Sequence, residues 1–414
     1  MKMKKLARVF TSAVLVSAMV GTMGGMTAFA GVGEIDLTKT ITTDGQTFAP
    51  NTSFTFTITA TGGSDGNVVE ADGTKTGSEY GAAEGQKLTV YKGIQGALNF
   101  KEDSGFSGDG NNQLAFTPAD DNGATLPSSF TNKGKLTVDV SVFKQPGIYH
   151  YTVNEVPGTY EGIVYDKAVR HVYLYVNYAV ENGQLTDRLE VGNVVVSKEV
   201  DGEEVKVGGY EINSDTLNNK GIEFTNNYGD DSGEDPKDPE NPKPEEKNDS
   251  THDITIGKTV TGNQGDKNKV FNFKVTVNGT EGEKYKVVKT SQGETEPVVV
   301  DALTSGTEGT YQLKHGETIK ITGLTENDTY TVVETEANQD GYTTTYTPGE
   351  GATRVVDGNT IQAVAADGAQ YTVTNDRAVT TPTGIVLSFA PYILLVALAG
   401  VFGVLFLRRR KEEF

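Results

Sequence analysis

The 414-residue chain contains no cysteine, only four histidines, and far fewer basic than acidic residues, 36 against 56. The first absence removes disulfides, thiol chemistry and cysteine-type zinc sites, so covalent reinforcement would have to come from other side chains. The histidines, His150, His171, His252 and His315, stand singly, with no nucleophile elbow, phosphate loop or metal-ligand spacing around them. Neither a cofactor nor a metal is expected, and turnover catalysis is not. His150 and His171 alternate with strand residues as solvent-facing positions do. Asp109-Gly110-Asn111 is a fragment of a calcium loop without the other ligands and reads as a Gly-rich turn. The net charge of −20 excludes nucleic-acid binding through phosphates and fits a mutually repelling, soluble surface protein.

Both ends carry processing signals. Lys2, Lys4, Lys5 and Arg8 precede the apolar stretch Val9 to Val20, and Ala28-Phe29-Ala30 offers a small-x-small cleavage site, so residues 1–30 read as a secretory signal peptide. At the other end Thr381-Pro382-Thr383-Gly384 precedes the apolar run Ile385 to Leu407 and then Arg408-Arg409-Arg410-Lys411. At about 1.5 Å per residue the run would span roughly 34 Å, enough for a bilayer core, with the basic cluster cytoplasmic. Residues 379–414 therefore read as a transmembrane tail, and the Pro-Thr-Gly before it favours a sorting signal cut by a sortase between Thr383 and Gly384.

Between the ends, apolar and polar residues alternate over short stretches bounded by Gly, Asn and Asp, an all-β pattern of sandwich type. The first domain, 31–228, is expected to place strands at Asp36–Thr42, Ser53–Ala60, Leu88–Tyr91, Leu136–Phe143, Gly147–Glu155, Val169–Val180, Leu189–Glu199 and Gly221–Tyr228, with surface loops over 61–85 and 105–128. Residues 229–250 hold nine acidic and three basic side chains, four prolines and almost nothing apolar; they read as an extended linker. A second domain, 251–378, repeats the pattern with strands at Ile254–Val260, Val270–Val277, Tyr285–Lys289, Thr318–Ile321, Tyr330–Glu334, Thr343–Tyr346 and Tyr371–Asn375.

Three pieces recur in the same order in both domains, the mark of an internal duplication. Lys39-Thr40-Ile41-Thr42 with Phe54-Thr55-Phe56 matches Lys258-Thr259-Val260-Thr261 with Phe271-Asn272-Phe273. Tyr151 to Glu155 matches Tyr330 to Glu334, each glutamate having a glycine seven residues on, at Gly162 and Gly341. Phe224-Thr225-Asn226 matches Val373-Thr374-Asn375. Strand alternation then places Lys39 beside Leu37 and Ile41, Glu155 beside Tyr151 and Val153, and Asn226 beside Phe224 and Tyr228, all facing the core. Lys258, Glu334 and Asn375 face inward by the same count.

Burying an unpaired ion costs several kcal/mol, so two matching triads need a common cause. One is a buried Lys-Glu salt bridge with Asn supplying hydrogen bonds. The other is an intramolecular isopeptide bond, in which the lysine amine attacks the asparagine carboxamide and ammonia leaves. An apolar site favours the neutral amine and the protonated carboxyl that this reaction uses.

With these motifs the chain resembles the backbone pilins of Gram-positive bacteria, and is most similar to the streptococcal T-antigen type of major pilin. The resemblance rests on Leu37-Thr38-Lys39, Tyr151 to Glu155, the Phe-x-Asn at 224–226, Glu334 to Asn338 with Asp340-Gly341-Tyr342, and the Pro-Thr-Gly tail. It implies two tandem immunoglobulin-like (CnaB-type) sandwiches, with Lys39 joined to Asn226 under Glu155 and Lys258 joined to Asn375 under Glu334. It also implies a structural subunit, secreted, held at the membrane and then anchored to the wall or pilus surface. A pilin-class sortase would join Thr383 to a lysine of the next identical subunit. Lys220, in Asn218-Asn219-Lys220-Gly221, is the candidate acceptor, with Lys198 and Lys206 as rivals. Minor pilins, peptidoglycan and a host surface ligand complete the implied partners. Two features depart from that pattern: Thr381 replaces a larger apolar residue, and the acidic linker is longer than a tight domain junction. A monomeric wall-anchored adhesin built from the same stapled modules, presenting loops 61–85 and 105–128, is the alternative.

Overall fold

The structure is a computed structural model and describes residues 31–61, 68–70, 89–107, 112–200, 203–211, 220–229, 251–352, 360–366, 368–379 and 384–410. The signal peptide, Asp109 to Asn111, the linker 230–250 and Thr383 lie outside the described residues.

The first domain opens on strand Glu34–Thr42, whose residues alternate strictly between buried and half-buried positions. It pairs in parallel with the last strand of the domain, Ile222–Tyr228, and antiparallel with Ser129–Val138. Leu98–Phe100 and Ile163–Val164 extend this sheet at its two edges. The facing sheet runs through Glu203–Glu211, Gln184–Val200, Arg170–Glu181, Gly147–Val156, Thr52–Ala60, Gln113–Phe116 and Phe106–Ser107. Between them Leu37, Phe56, Tyr151, Val153, Leu174 and Phe224 form one buried cluster. Each such side chain contributes about 1.5–3 kcal/mol by leaving water.

The second domain repeats the plan. Its first strand, His252–Thr261, pairs in parallel with its last, Ala369–Asp376, inside a sheet that also holds Thr318–Leu324, Lys284–Thr290 and Thr343–Pro348. The facing sheet has the order Gly309–Leu313, Phe271–Asn278, Thr329–Glu334, Thr360–Val364. Ile256, Phe273, Val275, Tyr330, Val332 and Val373 fill its core.

Four expectations change. The strand expected at Leu136–Phe143 runs over Ser129–Val138 instead, and a short 3-10 turn at Val140–Val142 ends it. The stretch expected as a loop over 105–128 supplies two strands, Phe106–Ser107 and Gln113–Phe116, that bury Phe106, Leu114 and Phe116; Gly and Asp on either side hide so short an alternation. Within the other excursion Val68–Glu70 pairs with Thr89–Lys92. Finally, Glu203–Glu211, where no strand is expected, adds an edge strand to the first domain.

The two domains also touch. Glu283 of the second domain is buried, and its Oε1 accepts hydrogen bonds from the first-domain phenols of Tyr160 (3.0 Å) and Tyr228 (2.8 Å). Its Oε2 accepts from Tyr285 at 3.0 Å. Around this centre Lys286 Nζ donates to Gln46 Oε1 at 2.8 Å, Asn51 Nδ2 to the Glu281 carbonyl at 2.9 Å, and Asn327 Nδ2 to Glu161 Oε1 at 2.6 Å. A long linker in the sequence therefore accompanies a packed junction.

At the C-terminus one helix runs over Gly384–Arg410. Among the described residues no helix is long and apolar enough to cross a membrane. The side chains of residues 381–390 lie outside the described set, and the membrane-spanning reading of this tail rests on the sequence.

Candidate cross-linking sites in the two cores

The parallel register sets Ile41 opposite Asn226 and Lys39 opposite Phe224, so Lys39 and Asn226 project into the core from neighbouring strands, two residues out of step. Glu155 reaches them from the facing sheet, where Phe56 pairs with it. Lys39 and Asn226 are fully buried and Glu155 nearly so. Lys39 Nζ donates to Glu155 Oε2 at 2.6 Å, and Asn226 Nδ2 donates to Glu155 Oε1 at 2.6 Å. One carboxylate thus holds both side chains.

The second site has the same construction. Val260 lies opposite Asn375 in the parallel register, and Phe273 pairs with Glu334 within the facing sheet. Lys258 Nζ donates to Glu334 Oε2 at 2.8 Å, and Asn375 Nδ2 donates to Glu334 Oε1 at 2.5 Å. All six residues read from the sequence as two triads meet as two triads.

The repeated Phe-x-Phe pieces line the amines. Lys39 Nζ lies over the ring of Phe54, 4.8 Å from its centroid, and Lys258 Nζ over Phe271 at 4.2 Å. Removal from water pushes Lys39 down to about 8, although Glu155 pulls the other way. Lys258 is lowered to about 8 for the same reason, against its bond to Glu334. Burial raises the Glu155 carboxyl above the ordinary glutamate range, with Lys39 opposing. The local dielectric therefore moves the first pair toward amine and carboxylic acid.

In the first domain the carboxamide orientation is fixed. The backbone N–H of Asp166 donates to Asn226 Oδ1 at 2.7 Å, and an N–H cannot accept, so the oxygen must face Asp166 and the nitrogen Glu155. Asp166 is held in turn by Arg170, whose Nη2 meets Oδ2 at 2.5 Å in a buried ion pair. The sequence gives only a weak signal for both residues, an Asp and an Arg four apart in the mixed stretch from Val164 to Val172, which also holds Lys167 and His171. In the second domain Asn375 Oδ1 is buried with no hydrogen-bond partner among the described residues.

Other expected residues lie apart. Lys220 is exposed at the edge of the first domain, pairing with Glu223 Oε2 at 2.7 Å and bridging to Gly209, while Lys198 and Lys206 are half-buried. Gly384 begins the C-terminal helix. His150 and His171 do occupy the outer face of their sheet, but they share a hydrogen bond of 3.0 Å, and His150 stacks on Tyr173 at 4.4 Å rather than standing free in solvent.

Residues 35–229 match the family described as "Spy0128-like isopeptide containing domain", and residues 252–378 match a domain family described as of unknown function. The whole chain aligns with the whole of a pilin of Streptococcus pyogenes serotype M1, 26% identical over 426 residues. A 136-residue part is 29% identical to the pilus tip adhesin Cpa of the same species, covering 33% of this chain and 18% of the adhesin. Among solved structures, the S. pyogenes major pilin superposes with a TM-score of 0.49 at 22% identity, over 84% of this chain and 99% of that one. The T3.2 major pilin of that species gives 0.47 at 23%, over 85% and 100%. The fold and the sites define a protein of two β-sandwich domains, the first of which matches the isopeptide-containing domain family. More particularly, the chain is a homologue of an S. pyogenes pilin, similar to it from end to end.

Proposed function

We propose that this chain is the structural subunit of a cell-surface pilus, with each domain stapled by a self-formed Lys-Asn isopeptide bond. The observation that carries the reading is the paired arrangement of one buried carboxylate between a lysine amine and an asparagine carboxamide, on the first and last strands of each domain. End-to-end similarity to a pilin, against a match to only 18% of the tip adhesin, supports the backbone role over the adhesin alternative.

In the first domain the neutral Lys39 amine attacks Asn226 Cγ. Glu155 takes the proton released from Nζ and delivers it to Asn226 Nδ2, which leaves as ammonia while the Nζ–Cγ amide forms. Glu155 lies on the amide nitrogen, the atom that must be protonated to leave. Lys258, Glu334 and Asn375 play the same parts. Each domain performs the step once, so the protein is structural and not a turnover enzyme.

Polymerisation follows from the tail. A pilin-class sortase cuts between Thr383 and Gly384, holds the subunit as a thioester, and passes it to Lys220 of the next identical subunit; the helix from Gly384 onward stays behind. Lys220 is the most exposed of the three candidate lysines. The membrane-held precursor, wall peptidoglycan, minor pilins and a host surface ligand belong to the same proposal.

The deciding measurement is the intact mass of the mature protein. Two ammonia fewer than the sequence mass is expected, one restored by Glu155→Ala and one by Glu334→Ala. A full sequence mass would leave two buried salt bridges instead.

A further inference from the structure

We propose that the backbone N–H of Asp166 is the oxyanion donor for the first-domain cross-link, so that the two staples form by unequal means. This rests on the isopeptide reading above.

Attack on Asn226 Cγ turns the carboxamide oxygen into an oxyanion before ammonia departs. The Asp166 N–H already sits 2.7 Å from that oxygen inside the buried core. Oxygen moves little as its carbon becomes tetrahedral, so the donor stays within the reach that such sites require. Negative charge therefore builds where a dipole already points. Atoms balance: Nζ–Cγ forms, Cγ–Nδ2 breaks, the Nζ proton goes by way of Glu155 to Nδ2, and Asp166 gives up nothing.

The surroundings of Asp166 clip its segment to the last strand over the three residues before Asn226. Asp166 Oδ2 accepts from the Thr225 N–H at 3.1 Å, and Oδ1 accepts from the Ala168 N–H at 3.0 Å. Arg170 bonds the same carboxylate, donates Nε to the Glu223 carbonyl at 2.8 Å and Nη1 to the Ala168 carbonyl at 2.8 Å, and lies 4.6 Å over the Phe224 ring. A buried ion pair is seldom worth its desolvation as stability alone. Here it neutralises the carboxylate, so the clip adds no net negative charge beside the forming oxyanion. At the second site Asn375 Oδ1 has no such donor among the described residues.

The test replaces one N–H with an ester oxygen. The α-hydroxy analogue of aspartate is placed at position 166 of the full mature chain by nonsense suppression in cell-free synthesis. Samples are quenched in denaturant over time, and the two cross-linked peptides are counted separately by mass spectrometry. The 39–226 bond should form about 10²-fold more slowly or worse, the usual loss for one oxyanion donor, while the 258–375 bond keeps its rate as an internal clock. An ester at position 168 deletes a neighbouring N–H of similar structural weight and should leave both rates within a few-fold. An unchanged 39–226 rate in the 166 ester overturns the proposal, and so does equal slowing by the two esters. An unmodified chain that never loses ammonia overturns the cross-link reading itself.

Discussion

Tyr228 donates its phenol to Glu283 across the domain junction at 2.8 Å, two residues beyond the Asn226 that faces Lys39. The strand carrying the first candidate cross-link thus continues directly into the contact between domains. Burial raises both groups above their ordinary ranges, so the junction holds a phenol and a carboxyl removed from water. Glu283→Ala leaves the Tyr160 and Tyr228 hydroxyls short of an acceptor, at about 1–3 kcal/mol for each unsatisfied group, while Tyr285 keeps Asp328 Oδ2 at 3.1 Å. Calorimetry should then resolve two unfolding transitions where the wild type shows a more strongly coupled one. A single unchanged endotherm would mean that the cage around Glu283 does not couple the domains.

Cross-linking should dominate thermal stability. By the chain-entropy model used for disulfides, closing the loop from Lys39 to Asn226 is worth about 5 kcal/mol. Asn226→Ala keeps the Lys39–Glu155 pair but cannot form the bond. Its first domain should melt roughly 10–20 °C lower, taking about 2–4 °C per kcal/mol for a domain of this size. The second domain should keep its Tm.

Polymer formation assigns the acceptor lysine. Co-expressed with a pilin-class sortase, the wild type should give a ladder of covalent multimers on denaturing gels. Lys220→Arg should give monomer alone, with both intramolecular ammonia losses intact. A persisting ladder would move the linkage to Lys198 or Lys206.

Acid should weaken the first domain through His150. Burial, followed by the neighbouring His171, lowers this imidazole from about 6.5 to about 4. Between those values the unfolded chain takes up a proton that the folded domain refuses, so stability present above pH 6.5 is lost as pH falls toward 4. The Tm of the first domain should drop across that window, and His150→Gln should flatten the drop. Parallel curves for the two proteins would place the acid sensitivity elsewhere.

What the sequence showed and what it concealed divide by range. Lys39, Glu155 and Asn226 were legible because alternation along a strand forces a side chain to one face, and a charged residue in an apolar row stands out even without its partners. The duplication then supplied Lys258, Glu334 and Asn375. The Gln113–Phe116 strand was hidden because a four-residue alternation beside Gly and Asp looks like any polar loop. Asp166 and Arg170 carried only a weak signal, since the meaning of Asp166 lies in its backbone N–H, which sequence patterns do not register. Gln46, Asn51, Glu161 and Glu283 look like ordinary surface polar residues one by one; only the meeting of two domains gives them partners. The outward direction of His150 was correct, and its stacking on Tyr173 depends on a neighbouring strand.

The parallel pairing of first and last strands has a consequence for how such a chain can change over time. Under the proposed bond from Lys39 to Asn226, a pull on the ends of the first domain would cross from one strand to the next within a few residues, and the chain from Ile41 to Thr225 would hang beside the line of force. Insertions, deletions and altered surface residues in that long excursion then carry no tensile penalty. The exposed face of the subunit is free to diversify while the tether beneath it stays the same.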